Sequence, residues 1–189
     1  MQKHTKIHKF CTMTKTNDII WLDEVKSTNE YLRSHIESLD NLSVVAAWSQ
    51  TEGRGQALHK WHSHPGKNLT FSILIKNVDL TAARQSEISD TTAQSIVELL
   101  DRHGIEAWIK PPNDIWVSDK KICGLLIEHS LRGNRIMWSI IGIGLNVNQT
   151  TFPDDLPNPT SMALEGHPAR LQDLLAEFMT IFSQASWLK

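Results

Sequence analysis

Residues 107–145 read AWIKPPNDIWVSDKKICGLLIEHSLRGNRIMWSIIGIGL, and this stretch decides the fold. Four apolar runs within it are separated by glycine, proline, asparagine, aspartate and serine, a pattern typical of consecutive β-strands. We predict strands at 107–110, 115–117, 121–128 and 136–145. Since the chain returns on itself at each turn, these strands are expected to lie together in one sheet.

Three further strands and three helices are predicted outside this stretch. The short apolar runs at 19–22, 44–48 and 69–75 are predicted strands. Ser27 and Glu30 have the S-x-x-E spacing of a capping box, which predicts a helix beginning at Ser27. Apolar residues at helical spacing predict further helices over 81–103 and 168–188, with Gly104 placed to end the first of them.

These elements predict one domain of the α/β (α+β) class, a mixed β-sheet packed by two or three helices. The domain is expected to span 19–189, because neither a linker nor a repeat interrupts it. Residues 1–18 carry lysines but no apolar segment, so they are predicted to be an N-terminal tail rather than a signal peptide.

The composition excludes several classes of partner. The chain has 189 residues and a net charge of −2, so it has no bulk attraction for nucleic acid or an acidic membrane, and any anion must be held locally. No apolar run reaches the ~18 residues of a membrane span.

Cys11 and Cys123 lack metal-site spacing, which favours a reducing compartment. A cytoplasmic protein is therefore expected.

Two polar clusters in the first third of the chain are candidate binding elements. Ser27-Thr28-Asn29 opens a predicted helix; these residues either cap it or present hydroxyls, an amide and backbone N–H groups to a polar ligand. The loop 50–68 is either a flexible surface loop or an anion site. Gly53 and Gly55 would let the backbone approach an anion, Arg54 offers a planar fork, and Trp61 offers a ring face.

Three more clusters follow. The segments 110–114 and 120–124 place lysines and Asp114 at neighbouring strand ends; they are either solvated turns or a site for phosphate with a metal ion. Gly142-Ile143-Gly144 lacks the context of a dinucleotide fingerprint and suits a strand closely approached by a ligand or another chain. The spacing of His59, His62 and His64 permits zinc but lacks the partner ligands of a defined site.

Taken together, these motifs resemble the catalytic domain of biotin protein ligases. The similarity extends from about Trp21 to the end of the chain, and the motifs occur in the family's order and spacing. They are Ser27-Thr28-Asn29; Gly53-Arg54-Gly55 with Trp61, Pro65-Gly66, Leu69 and Ser72; Lys110 with Pro112-Asn113-Asp114; Lys121, Gly124, Leu126 and Glu128; Gly142, Gly144, Asn146 and Asn148; and Pro159-Thr160-Ser161-Met162.

The resemblance implies the biotin/lipoate protein ligase fold, which is similar to class II aminoacyl-tRNA synthetases, and an ATP-dependent biotin–[acetyl-CoA-carboxylase] ligase. Such an enzyme converts biotin and ATP to biotinyl-5′-AMP and then transfers biotin to a lysine of a biotin carboxyl carrier protein. A homodimer is possible. No nucleic-acid or membrane partner is implied.

The resemblance also implies site residues. Lys121 and Arg54 would be catalytic, and Mg²⁺ would bind at Asp114. The biotin site would contain Ser27, Thr28, Asn29, Gln50, Gly53, Arg54, Gly55, Gln56, Lys121 and Gly124. The ATP site would contain Arg54, Gln56, Trp61, Lys110, Asn113, Asp114, Lys121 and Asn146.

Some residues depart from the family pattern. Pro111 stands where the family usually has tryptophan, Gln56 where many members have arginine, and Ala57-Leu58-His59 replaces a commonly Gly- and Arg-bearing stretch. The usual C-terminal β-barrel and the N-terminal helix-turn-helix of some members are not expected. The alternatives are a lipoate–protein ligase, a non-catalytic biotin- or nucleotide-binding module, and a metal-binding protein built on the histidines.

Overall fold

Eight strands form a single mixed sheet in the computed structural model, which describes residues 7–9, 19–56, 60–112 and 114–188. The order across the sheet is β1-β2-β3-β4-β8-β7-β6-β5, and only β2 and β3 pair in parallel. The strands are β1 (Ile7–Lys9), β2 (Ile19–Leu22), β3 (Ser43–Ala47), β4 (Leu69–Lys76), β5 (Trp108–Lys110), β6 (Asp114–Val117), β7 (Lys120–Arg132) and β8 (Arg135–Leu145). The predicted mixed sheet packed by helices is confirmed.

In the described part of the chain three α-helices accompany the sheet, and each is shorter than its apolar pattern suggested. They are α1 (Thr28–Ser34), α2 (Ser86–Arg102) and α3 (Leu171–Phe182), with 3₁₀ turns at Ile36–Ser38, Ala82–Arg84 and Ser186–Leu188. The apolar periodicity of the sequence continues beyond α1 and begins before α2. At both places the structure has a 3₁₀ turn, which also brings apolar side chains to one face.

The end of α2 follows the sequence prediction closely. Gly104 has a φ of +74°, the left-handed conformation that ends many helices. Its N–H donates to Asp101 O at 2.8 Å, and the N–H of Ile105 donates to Leu100 O at 2.9 Å. These two bonds form a Schellman motif, and the buried side chain of Ile105 adds its apolar contact.

The two faces of the sheet are covered differently. Helices α2 and α3 cover one face, where Phe71 of β4 meets Phe178 of α3 with ring centroids 5.3 Å apart. The short helix α1 covers part of the other face, where Leu32 packs with Val45 and Leu74. Because α1 is only seven residues long, it leaves the sheet beside it uncovered.

The uncovered area is lined by small side chains because the residues paired across the central strands alternate between faces. Thr70, Gly144 and Gly124 form one row across β4, β8 and β7, and their neighbours Phe71, Ile143 and Leu125 form the next row on the opposite face. The bulky row belongs to the main core. The row of small residues therefore leaves room for a cavity on the α1 face.

Two details differ from expectation at the N-terminal end. Within the predicted tail, Ile7–Lys9 pairs antiparallel with β2 as an edge strand. Ser27 occupies the N-cap position of α1 but makes no side-chain cap hydrogen bond, so the predicted capping box is wrong. The domain limits of 1–18 and 19–189 remain a prediction. Within the described ranges, no helix is long and apolar enough to cross a membrane.

We predict that Gly104→Ala lowers the free energy of unfolding by about 1–2 kcal/mol, because an L-residue is strained at positive φ. Chemical denaturation followed by circular dichroism measures the change. Ser118 also has a positive φ, of 52°, so the control Ser118→Gly should leave the stability unchanged or raise it. A stable Gly104→Ala variant would show that the left-handed turn is not needed to end α2.

Candidate functional site

A cavity of about 750 Å³ opens on the α1 face of the sheet and brings most of the predicted site residues together. Arg54 and Lys121, which the sequence placed in separate motifs, both line it. The other predicted residues on its wall are Ser27, Thr28, Asn29, Gln50, Gly55, Gln56, Trp61, Asp114, Gly124 and Asn146. Gly53 and Lys110 are not among its lining residues, and Asn113 lies outside the described residues.

The floor of the cavity is built where α1 begins. Ser27, Thr28 and Asn29 are almost fully buried. Gln50 is held beside them by a parallel bridge to Val25, and its Oε1 accepts a hydrogen bond from the backbone N–H of Thr28 at 2.8 Å. The polar residues at the helix start therefore face the cavity together with Gln50, rather than serving as a helix cap.

Two glycines of β8 make close approach to this floor possible. A Cβ at Gly142 would lie 2.4 Å from Oδ1 of Asn29, and a Cβ at Gly144 would lie 2.4 Å from the indole of Trp61. Any side chain at either position would displace Asn29 or Trp61. The groups that approach Gly142 and Gly144 closely are thus this chain's own Asn29 and Trp61 side chains, rather than the ligand or second chain that the sequence suggested.

Trp61 enters the cavity from the loop that follows β3. Its backbone N–H donates to Gly53 O at 3.0 Å, and Arg54 pairs with Lys60 in an antiparallel bridge, so the ends of this loop lie side by side. The indole Nε1 is buried and has no hydrogen-bond partner among the described residues. Arg54 Nη2 lies 3.6 Å from a carboxylate oxygen of Glu30 in α1.

Lys121 lines the cavity from β7. Its Nζ lies 2.7 Å from Oδ1 of Asp114, and both side chains are about one-third exposed. Its backbone is fixed from both sides, by its own N–H to Asn158 O at 2.8 Å and by Thr160 N–H to its carbonyl at 2.9 Å. The ammonium is therefore carried on a rigid strand, which suits a group that must meet an anion at a set position.

Lys110 points elsewhere. Its Nζ lies 3.6 Å from the ring centroid of Trp116, within cation–π distance. The cations that line the cavity are Arg54, Lys60 and Lys121, against the carboxylates of Asp114 and Asp155. The wall thus carries more positive than negative groups although the chain as a whole is slightly acidic.

One wall was not predicted from the sequence. Phe152, Asp155, Leu156, Pro157 and Pro159 line the cavity from a segment without regular structure between β8 and α3. No periodicity marks such a segment. The only available signal was the Pro159-Thr160-Ser161-Met162 motif, which places this stretch beside Lys121.

The remaining candidate groups lie apart from this chemistry. His62 lines the cavity, whereas His59 falls outside the described residues, and no cluster of three potential metal ligands occurs in the described part of the chain. Cys123 packs into the core on the other face of β7, and burial raises the pKa of its thiol well above the ordinary value. It is not placed to act as a nucleophile in the cavity.

Comparison with known proteins identifies relatives for most of the chain. A profile of the biotin/lipoate A/B protein ligase family matches residues 21–146. The bifunctional ligase/repressor BirA of Bacillus spizizenii is 33% identical over 144 residues, which cover 73% of this chain and 43% of BirA. BirA of Bacillus subtilis is 36% identical over 117 residues, covering 60% and 36%. The chain thus spans less than half the length of these curated relatives.

Solved structures show the same fold. A biotin protein ligase from Aquifex aeolicus in complex with biotin and ATP has a TM-score of 0.74 and 28% identity, covering 88% of this chain and 69% of that one. A biotin protein ligase from Leishmania major in complex with biotinyl-5-AMP has a TM-score of 0.71 and 26% identity, covering 92% and 76%.

We predict that Gly144→Ala costs about 1–3 kcal/mol of stability, because the added methyl overlaps the indole of Trp61. In a Trp61→Ala background the same substitution should cost much less, since the overlapping ring is gone. Thermal unfolding of the four proteins in this double-mutant cycle measures the coupling. Equal costs in both backgrounds would place the strain within the sheet rather than at Trp61.

Proposed function

We propose that this chain, which belongs to the biotin/lipoate A/B protein ligase family, acts as a biotin protein ligase. It would activate biotin with ATP to biotinyl-5′-AMP and then pass biotin to a lysine of a carrier protein. One observation carries the proposal: Arg54 and Lys121 line a single cavity whose floor is the polar start of α1. The relatives solved with biotin and ATP, or with biotinyl-5-AMP, support it.

The first step must bring two anions together. An oxygen of the biotin carboxylate attacks the α-phosphorus of ATP, a new P–O bond forms, and the bond to the departing pyrophosphate breaks. Two unit charges ~4 Å apart repel by about 4 kcal/mol at an effective dielectric of 20. Arg54 and Lys121, which line the same cavity, would offset this repulsion, and fixing both reactants in line lowers the barrier further.

The two reactants would occupy different parts of the cavity. The polar floor at Thr28, Asn29 and Gln50 suits the ureido ring of biotin, and Leu126 lies on the same wall. Trp61 offers a face for the adenine base. Asn146 supports that location, because its buried Oδ1 has no hydrogen-bond partner among the described residues and would accept from an exocyclic amino group.

The remaining predicted residues would have supporting roles. Gly53, which lies under the backbone of Trp61, would shape the loop rather than touch a ligand. Lys110 would act on phosphate only after leaving the ring of Trp116. Gly55 and Gln56, on the cavity wall, would close over the adenylate and exclude water from a hydrolysable anhydride.

In this proposal one protein side chain, that of Asp114, would bind Mg²⁺. Mg²⁺ in nucleotide sites is held by one or two carboxylates together with substrate phosphates. Asp114 is the carboxylate that fits, because it lines the cavity beside Lys121. The ion would neutralise phosphate charge, and Lys121 would turn from Asp114 toward the reacting oxygens.

In the second step a carrier lysine attacks the acyl carbon of the mixed anhydride, forming an amide and releasing AMP. One relative is named biotin–[acetyl-CoA-carboxylase] ligase, of Paracoccus denitrificans, and it is 26% identical. We therefore propose a carboxylase carrier domain as the protein substrate. The family also contains lipoate ligases, and competition between biotin and lipoate in calorimetry separates the two substrates.

Biotin-dependent exchange of pyrophosphate into ATP tests the proposal directly. We expect Lys121→Ala to lower the exchange rate by about 10²–10³-fold, the effect typical of losing one group that stabilises developing charge. The neighbouring Lys120 is exposed and does not line the cavity, so Lys120→Ala is the matched control and should retain the activity. Wild-type protein without exchange would overturn the proposed activity.

We expect Arg54→Gly to release the adenylate prematurely, because the loop loses its ion pair with Glu30 and its contact with the intermediate. The release would appear as biotinylation of lysines on an unrelated acceptor protein, measured by streptavidin blotting. Arg84→Gly breaks an exposed ion pair with Glu87 away from the cavity and should show no such labelling. Equal labelling by both variants would make the role of Arg54 structural only.

A further inference from the structure

The side chain of Asn29 is held by a carboxylate that does not itself line the cavity. Asn29 Nδ2 donates to Oε2 of Glu128 at 3.1 Å and to the carbonyl of Leu126 at 3.3 Å. Glu128 is held in turn by Arg33, whose Nη2 donates to its other oxygen. A carboxylate and a backbone carbonyl can only accept hydrogen bonds, so they fix which end of the Asn29 amide carries the hydrogens.

This orientation propagates through two hydroxyl groups. Ser72 Oγ lies 2.6 Å from Asn29 Oδ1 and 2.6 Å from Thr28 Oγ1. A serine has one hydroxyl hydrogen, and Asn29 Oδ1 can only accept, so the hydrogen of Ser72 goes to Asn29. Ser72 must then accept from the hydroxyl of Thr28, at a shorter distance than the 3.2 Å that separates Thr28 Oγ1 from Gln50.

The consequence is a fixed polarity at the cavity floor. The side chains of Thr28 and Asn29 donate their polar hydrogens to other groups of the protein. Both side chains therefore face the cavity as hydrogen-bond acceptors. Gln50 has the reverse role, because its Oε1 accepts from Thr28 N–H and its Nε2 keeps hydrogens that no described residue accepts. The floor therefore suits a ligand end that combines N–H donors with a carbonyl acceptor, as a cyclic urea does.

We propose that Glu128, held by Arg33, is a positioning residue that sets this polarity and so selects a ligand carrying N–H donors. The proposal rests on the proposed function only in taking biotin as the ligand. Glu128 would act through Asn29 and would not touch the ligand. A ligand with an oxygen in place of one N–H would then meet the lone pair of Asn29 or Thr28 and be rejected.

Calorimetry with two ligands tests the proposal. One is biotin, and the other is its cyclic carbamate, in which a ring oxygen replaces one ureido N–H. We expect the wild type to bind biotin at least about tenfold more tightly, the effect of one unmatched polar contact. Glu128→Leu should lower this preference, because the Asn29 amide then keeps only the longer hydrogen bond to the Leu126 carbonyl on its Nδ2 side, whereas Glu128→Gln should keep it through its own carbonyl oxygen.

The controls separate the possible outcomes. Glu98→Leu breaks an arginine–carboxylate pair on α2 and should leave the preference unchanged. If Glu128→Leu does not fold, Arg33→Leu replaces it, since it removes the hydrogen bond that holds the Glu128 carboxylate, and it should lower the preference. Wild-type binding with an unchanged preference in the folded Glu128→Leu or Arg33→Leu variant would overturn the positioning role. A wild type that binds no biotin would instead overturn the proposed function.

Discussion

The lack of side chains at Gly142 and Gly144 is the constraint on which the cavity depends. A Cβ at either position would lie 2.4 Å from Asn29 or Trp61, so Asn29 of the floor and the indole of Trp61 keep their positions only against bare backbone. The same strand is fully packed on its other face, where Ile141 and Ile143 join the main core. The site thus lies on a part of the sheet surface that apolar side chains do not cover, rather than on a separate element added to the fold.

Arg54 and Lys121 reach the same cavity from distant parts of the chain. Arg54 lies on a loop after β3, while Lys121 lies on a strand whose backbone is tied to residues 158 and 160. Arg54 has Glu30 as its carboxylate partner, and Lys121 has Asp114. The Arg54–Glu30 pair is exposed and therefore weak in water, whereas the Lys121–Asp114 pair is about one-third exposed; both remain open to replacement by an incoming phosphate or carboxylate. Both cations therefore stay near the cavity and remain available to an anionic ligand.

Much of the fold could be predicted because apolar periodicity and glycine act locally. The strands of 107–145 and the end of α2 at Gly104 follow from patterns a few residues long. The motifs named the cavity's main residues, but their convergence depends on strand order, which no single motif states. Ser27 occupies the N-cap position of α1 without a side-chain cap hydrogen bond, which the S-x-x-E spacing alone does not reveal. The wall at 152–159 was missed because it has neither periodicity nor regular structure.

The alternation along β8 also bears on how mutations can change this protein. Moving the strand by one residue against β4 would exchange Ile143 with Gly144, inserting a branched side chain beneath Trp61 and emptying a place in the core. An insertion or deletion within β8 would therefore disrupt both the packing of the core and the small-residue surface beneath Trp61. Evolution toward a different ligand is left to the loops that face the sheet, where length and composition change without shifting any pairing.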